Sequence, residues 1–232
     1  MSDDLAGQES RDEYLDFLRV AERAVSERFG SLGGFLSGAT VSGSWHPNGF
    51  AVFEVEFVEG LGLIRLHVWP QHLRPALDGH PEIHQHSFHL YSRIICGTYL
   101  ENQFEISEVN RERENSADDH LRTYQVAPTG RGGPDIVQEG DRPMVARPLF
   151  DSDLIFSSGS WHDLPAGVFH STPIPVDTFC ATLAVLSPHL PGVADILVGK
   201  PGFRGARRVR PMVAREELRE LTAQFNAAMA AR

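Results

Sequence analysis

Gly159-Ser160-Trp161-His162-Asp163-Leu164-Pro165-Ala166-Gly167-Val168-Phe169-His170 is the stretch that decides the fold. Gly159 and the Pro165-x-Gly167 step supply turns that bracket a short hairpin, and His170 is delivered onto the strand that follows. An earlier segment, Ile83-His84-Gln85-His86-Ser87-Phe88-His89, carries two imidazoles two residues apart. On a strand both point to the same face. Three imidazoles converging from two strands, His84, His86 and His170, make a metal site. One His-x-His among 11 histidines is unremarkable by itself. The joint spacing of Gly159, Pro165, Gly167 and His170 is what gives the pair of segments its weight.

Around these segments the hydrophobic period is that of strands. Phe53, Val55 and Phe57 alternate with Val52, Glu54 and Glu56. In Leu63 to Trp69, Ile64, Leu66 and Val68 face one way, while Arg65, His67 and Trp69 face the other. Further strands are expected at Ile83 to Cys96, Thr98 to Val109, Leu121 to Val126, Met144 to Phe150, Leu154 to Ser157, Gly167 to Ser171 and Phe179 to Leu186. Loops are expected at Pro70 to Pro81, at the charged run Arg111 to Asp119 and at Pro128 to Asp141. The ends differ. Tyr14, Phe17, Leu18, Ala21 and Val25 recur at helical spacing, so a helix is expected over 10–29, behind a disordered acidic lead at 1–9. A C-terminal helix opening near Pro211 carries the stripe Leu218, Leu221, Phe225 and Met229. Short strands punctuated by Gly and Pro predict an all-β sandwich or barrel flanked by two helices. Residues 10–232 form one domain, with its core at about 50–190.

Composition narrows the function. A net charge of -10 argues against nucleic acid or an anionic membrane as partner. The basic stretch from Lys200 to Arg210 is the local exception, read as a solvated or ion-paired loop or an anion site. Cys96 and Cys180 sit in apolar runs without a Cys-x-x-Cys spacing, which predicts buried reduced thiols. The acidic start, Met1-Ser2-Asp3-Asp4, does not read as a signal peptide, and no window is apolar enough to span a bilayer. A cytoplasmic protein is expected.

The two histidine segments together resemble the two motifs of the cupin superfamily. The second is Gly-x5-Pro-x-Gly-x2-His without a gap. The first is its His-x-His half, with Gly97 eleven residues after His86. The resemblance implies a double-stranded β-helix, or jelly roll. The usual acidic ligand of the first motif is missing, since Leu90 and Tyr91 stand in its place. Three neutral histidines then resemble the cysteine dioxygenase branch, whose members bind iron in that way. The likeness covers roughly Leu63 to Pro188. It departs from cysteine dioxygenase itself on the late strand, where Ala184 and Leu186 occupy the positions of that family's His and Tyr. No arginine lies in Val52 to Phe57 to hold a carboxylate.

Three neutral ligands leave a divalent ion its full charge and open positions for an anionic donor and dioxygen. Iron(II) is the expected cofactor, with Ni, Zn and Cu as alternatives for the same ligands. The expected activity is that of a non-haem dioxygenase or oxygenase acting on a small anionic metabolite, thiols included. A metal-dependent isomerase or lyase, or a binding protein without catalysis, is the alternative. His162 is placed at the pocket mouth, as a proton shuttle or a surface histidine, and Tyr91 is the other proton-handling candidate. His67, Trp69, Leu90 and Leu186 are pocket candidates. His89, Tyr91 and Arg93 reach the pocket only if a bulge reverses the strand's parity. For Arg65, His67 and Trp69, a pocket wall and a solvent face are both open. A homodimer is the expected assembly.

Overall fold

The computed structural model describes residues 2–38, 41–109, 120–128, 135–203 and 209–232, with the backbone alone at 2–10, 33 and 128. The expected loop at 111–119 and the middle of the basic run, 204–208, lie outside the described residues. In chain order the elements are α1 (Ser2–Phe29), α2 (Leu32–Phe35), β1 (Gly43–Trp45), β2 (Ala51–Val58), β3 (Gly62–Trp69), β4 (Ile83–Gln85), β5 (Leu90–Cys96), β6 (Thr98–Glu108), β7 (Arg122–Pro128), β8 (Asp135–Glu139), β9 (Met144–Pro148), β10 (Leu154–Ser157), β11 (Trp161–Leu164), β12 (Phe169–Ser171), β13 (Cys180–Leu186), β14 (Asp195–Gly199) and α3 (Arg215–Ala230). Helix α1 starts at Ser2, so it includes residues expected to form a disordered lead. No helix among the described residues is long and apolar enough to cross a membrane.

The strands form two antiparallel sheets. One runs β1-β2-β3-β13-β5-β11, the other β10-β6-β12-β4-β14-β7-β8, with β9 pairing the far half of β6. The chain crosses from one sheet to the other between β4 and β5, just after the His-x-His step. This is the all-β fold with terminal helices that the strand pattern predicts, in the jelly-roll form that the motif resemblance implies. Strand β13 lies at the centre of the first sheet and is buried at every position. Its near-continuous apolar run, Cys180-Ala181-Thr182-Leu183-Ala184-Val185-Leu186, broken only by Thr182, reflects cover on both faces rather than one.

The helices cover the outer face, while Thr182 and Leu186 face the pocket between the sheets. Ala21 and Val25 of α1 and Leu221 and Phe225 of α3 pack with Ile64, Leu66, Val68, Leu183 and Val185 in the main core. Burying each large aliphatic side chain contributes roughly 1.5–3 kcal/mol. Helix α3 begins four residues after Pro211 because the intervening backbone is bonded elsewhere. Trp45 N–H donates to Pro211 O at 2.8 Å, and Val213 N–H donates to Gly43 O at 2.8 Å. Glu217 then accepts from the Ala214 N–H at 2.7 Å and from the Trp45 indole at 2.9 Å, tying the helix start to β1.

Strand β2 departs from simple alternation. Its register with β3 shifts between Glu54 and Glu56, so Val55 is bulged. Phe53 is fully buried, whereas Phe57, expected on the same face, is 65% exposed. The bulge resets parity and turns Glu56 toward α1, where the Arg28 Nε–H donates to it at 2.6 Å. Cys96 and Cys180 are free and buried, as their apolar surroundings predict, and burial pushes both thiols up, that of Cys96 to about 12.

Candidate metal centre

Strands β4 and β12 pair antiparallel with His84 directly opposite His170. Gly167, at φ +82°, makes the turn, and its N–H donates to His86 O at 2.9 Å, holding the two motifs together. The ligand nitrogens of His84, His86 and His170 lie within 4.8 Å of one another. Two of these imidazoles are oriented by their own backbone. His84 Nδ1 lies 2.7 Å from Glu82 O, and His170 Nδ1 lies 3.1 Å from Val168 O. A carbonyl only accepts, so each Nδ1 carries the proton and each Nε2 keeps a lone pair for the site. Burial pushes the His84 imidazole below its usual range and those of His86 and His170 well below it. Metal binding requires neutral imidazole, so the donor set suits a divalent ion.

The triad opens on a pocket of about 100 Å³. Of the expected pocket residues, His67, Trp69, Leu90 and Leu186 line it. Arg65 does so as well, because both faces of β3 are buried, one under the helices and one in the pocket. Burial holds His67 neutral, pushed down to about 3. Leu90 lines the pocket and offers no donor atom.

The remaining candidates lie elsewhere. His89, Tyr91 and Arg93 follow regular strand parity and face α1, away from Leu90 and Ser92. The His89 ring lies 4.6 Å from that of Tyr14 and accepts the Ala166 N–H at 3.0 Å through Nδ1. Tyr91 is buried in the main core and stacks on Trp161 at 4.9 Å, so it does not reach the pocket as a proton donor. The Arg93 guanidinium covers the Phe29 ring at 4.5 Å. His162 is not at the pocket mouth but 2% exposed beneath it. Its Nε2 pairs with the fully buried Glu101 carboxylate at 2.8 Å, and its Nδ1 lies 3.3 Å from the Ser92 hydroxyl, which lines the pocket.

Several residues escaped the sequence patterns. Glu101 is held by His162 and by the Gln103 side-chain amide at 2.9 Å, and it is not part of the histidine cluster. The alternation Tyr99, Glu101, Gln103 on β6 is the signal that could have placed it inward. His46 lines the pocket beside His84, with ring centroids 6.3 Å apart, and is stacked on Phe50 with centroids 4.2 Å apart. Its Nδ1 accepts the Asn48 N–H at 3.2 Å, which leaves Nε2 as the protonated nitrogen. Arg210, the last residue of the basic stretch read as a solvated or ion-paired loop or an anion site, enters from the C-terminal segment, and its place in this pocket could not be read from that run of charge. A larger open groove between the α2 region and α3 is lined by Leu36, Val41, Val213 and Leu218; its described lining carries no His, Cys, Asp or Glu.

No protein-family model matches the chain, and no curated protein matches it. Among solved structures, the chain is similar to one described as hydroquinone 1,2-dioxygenase PnpCD in complex with Cd2+ and 4-hydroxybenzonitrile. The two are 13% identical, with a TM-score of 0.27. The match covers 58% of this chain and 61% of that chain, less than two thirds of its length.

Proposed function

We propose that this chain is a metal-dependent cupin enzyme, a non-haem iron(II) dioxygenase or oxygenase acting on a small anionic metabolite, thiols included. The observation that carries this reading is the ligand set: three neutral imidazoles with no carboxylate from the described residues among them, facing a small buried pocket. Bound iron would supply a +2 charge and open positions for an anionic donor and dioxygen. The protein's part is to hold three imidazole lone pairs on one point and to exclude bulk water with Phe50, Trp69, Leu90 and Leu186. Ser92, His162 and Glu101 form a hydrogen-bonded path that can hold a proton given up by a substrate as it ionises. The proposed assembly is a homodimer; a light-scattering mass near 25.7 kDa at micromolar concentration would exclude it.

The test is metal analysis of freshly purified protein, followed by oxygen uptake of the iron-loaded form with thiols, diketones and hydroxy acids. Iron or another divalent ion at one per chain, with oxygen consumed on addition of one ligand class, supports the reading. Bound metal that consumes no oxygen with any of them transfers the site to an isomerase, lyase or binding role. A protein that retains no metal ends the proposal.

A further inference from the structure

The whole chain carries a net charge of -10, yet the pocket beside the three histidines is lined, among the described residues, by two arginines, Arg65 and Arg210, and by no Asp or Glu. A divalent ion at the triad would add two further positive charges. A substrate with one anionic donor offsets only part of that charge, and buried charge is costly unless paired. We propose that the pocket is built for a doubly anionic substrate, with one donor at the metal position and a second anionic group, a carboxylate, held by Arg210 and the Nε2–H of His46. This inference rests on the metal-dependent reading above.

Arg210 is fixed for this task by its surroundings. Asp135 Oδ2 accepts from Nε at 3.4 Å and from Nη2 at 3.3 Å, so one edge of the guanidinium is anchored. Among the described residues no other partner holds the edge that carries Nη1. The backbone beyond it is also fixed, since Pro211 and Val213 pair with β1 as a short added strand. Arg210 lines the same pocket as His46 and the three histidines. His46 presents a single tautomer, because the Asn48 N–H occupies its Nδ1 and the Phe50 ring holds its plane. A guanidinium and an imidazole N–H are both donors, and a carboxylate offers two acceptor oxygens. Arg65, paired with Glu54 at 3.4 Å, adds positive potential on the β3 wall.

The experiment uses zinc-loaded full-length protein and hydroxamates, which chelate metals through their own oxygens. Acetohydroxamate is compared by calorimetry with succinohydroxamate and glutarohydroxamate, which add a carboxylate two or three methylenes away. The expected result is that at least one carboxylate probe binds about tenfold or more tightly than acetohydroxamate. In Arg210→Gln that preference should fall to within about threefold, with zinc content and melting temperature retained. A further wild-type measurement does not depend on the variant folding. The hydroxamate of 3-aminopropanoic acid, with an ammonium in place of the carboxylate, should bind more weakly than acetohydroxamate. Equal affinity for all the probes, or a preference that survives in Arg210→Gln, overturns the inference while leaving the metal site standing. A protein that binds neither zinc nor acetohydroxamate overturns the metal-dependent reading, and this inference with it.

Discussion

The six-stranded sheet is buried on both faces, and the two faces are chemically opposite. Toward the helices, β3 presents Ile64, Leu66 and Val68 to Ala21, Val25 and Phe225, which is ordinary apolar packing. Toward the other sheet, the same strand presents Arg65, His67 and Trp69 to the three-histidine pocket. The strand beside it repeats the division. Tyr91 and Ile95 of β5 join the helix-side core, while Leu90 and Ser92 face the pocket. One residue's step along a strand therefore separates a side chain that stabilises the domain from one available for chemistry. Two helices covering the outer face free the inner face to carry polar groups.

If this division is real, substitutions on the two faces should fail in different ways. The largest effect is expected on the pocket side. His170→Ala should lower affinity for a divalent ion by about a hundredfold or more, since two imidazoles hold such an ion poorly. Competition with a chromogenic chelator would read this, and near wild-type affinity would remove His170 from the site. On the helix side, Leu66→Ala should destabilise the fold by about 2–5 kcal/mol through a buried cavity. Denaturant unfolding measures that loss, and the folded fraction should still bind one ion per chain. Loss of metal from folded Leu66→Ala protein would show that the faces are not independent.

Acidity should distinguish the faces more mildly. His67 sits on the pocket side with its imidazole pushed down to about 3 from a usual 6.5. Unfolded chain takes up that proton first, so the contribution of His67 to stability is complete above about pH 6.5. It is lost progressively as pH falls toward about 3, at up to about 1.4 kcal/mol per pH unit. Urea unfolding of the metal-free protein at pH 7 and pH 5 should show this slope, and His67→Gln should flatten it by about one proton. An unchanged slope in that variant would mean that His67 is not held neutral. The smallest effect is expected at Tyr91→Phe. The phenol belongs to the helix-side core, so stability should move by no more than about 0.5 kcal/mol. Ligand binding at the metal should not move; a tenfold change in binding or turnover would return Tyr91 to the chemistry.

The three metal-ligand candidates were legible because their signal is local. Two imidazoles on one strand face and a Gly-Pro-Gly framed hairpin need only short-range geometry, and the register of β4 with β12 brings His84 and His170 together as that geometry predicts. Tyr91 and His162 were harder, because a role in proton transfer depends on what lies opposite. Trp161 meets the first and Glu101 the second, and neither pairing can be read from spacing along the chain.

By itself, then, the sequence determined the strand-rich architecture, the flanking helices and the three converging imidazoles, because periodicity and turn chemistry act over a few residues. Tertiary structure alone decided that β3 would be covered on both sides, that the bulge at Val55 would expose Phe57, and that Glu101 would be buried against His162. It also brought Arg210 from the C-terminal segment to a pocket built mainly from residues far earlier in the chain. Contacts at such separations are chosen by packing and charge pairing across sheets, which no local stretch of the chain encodes.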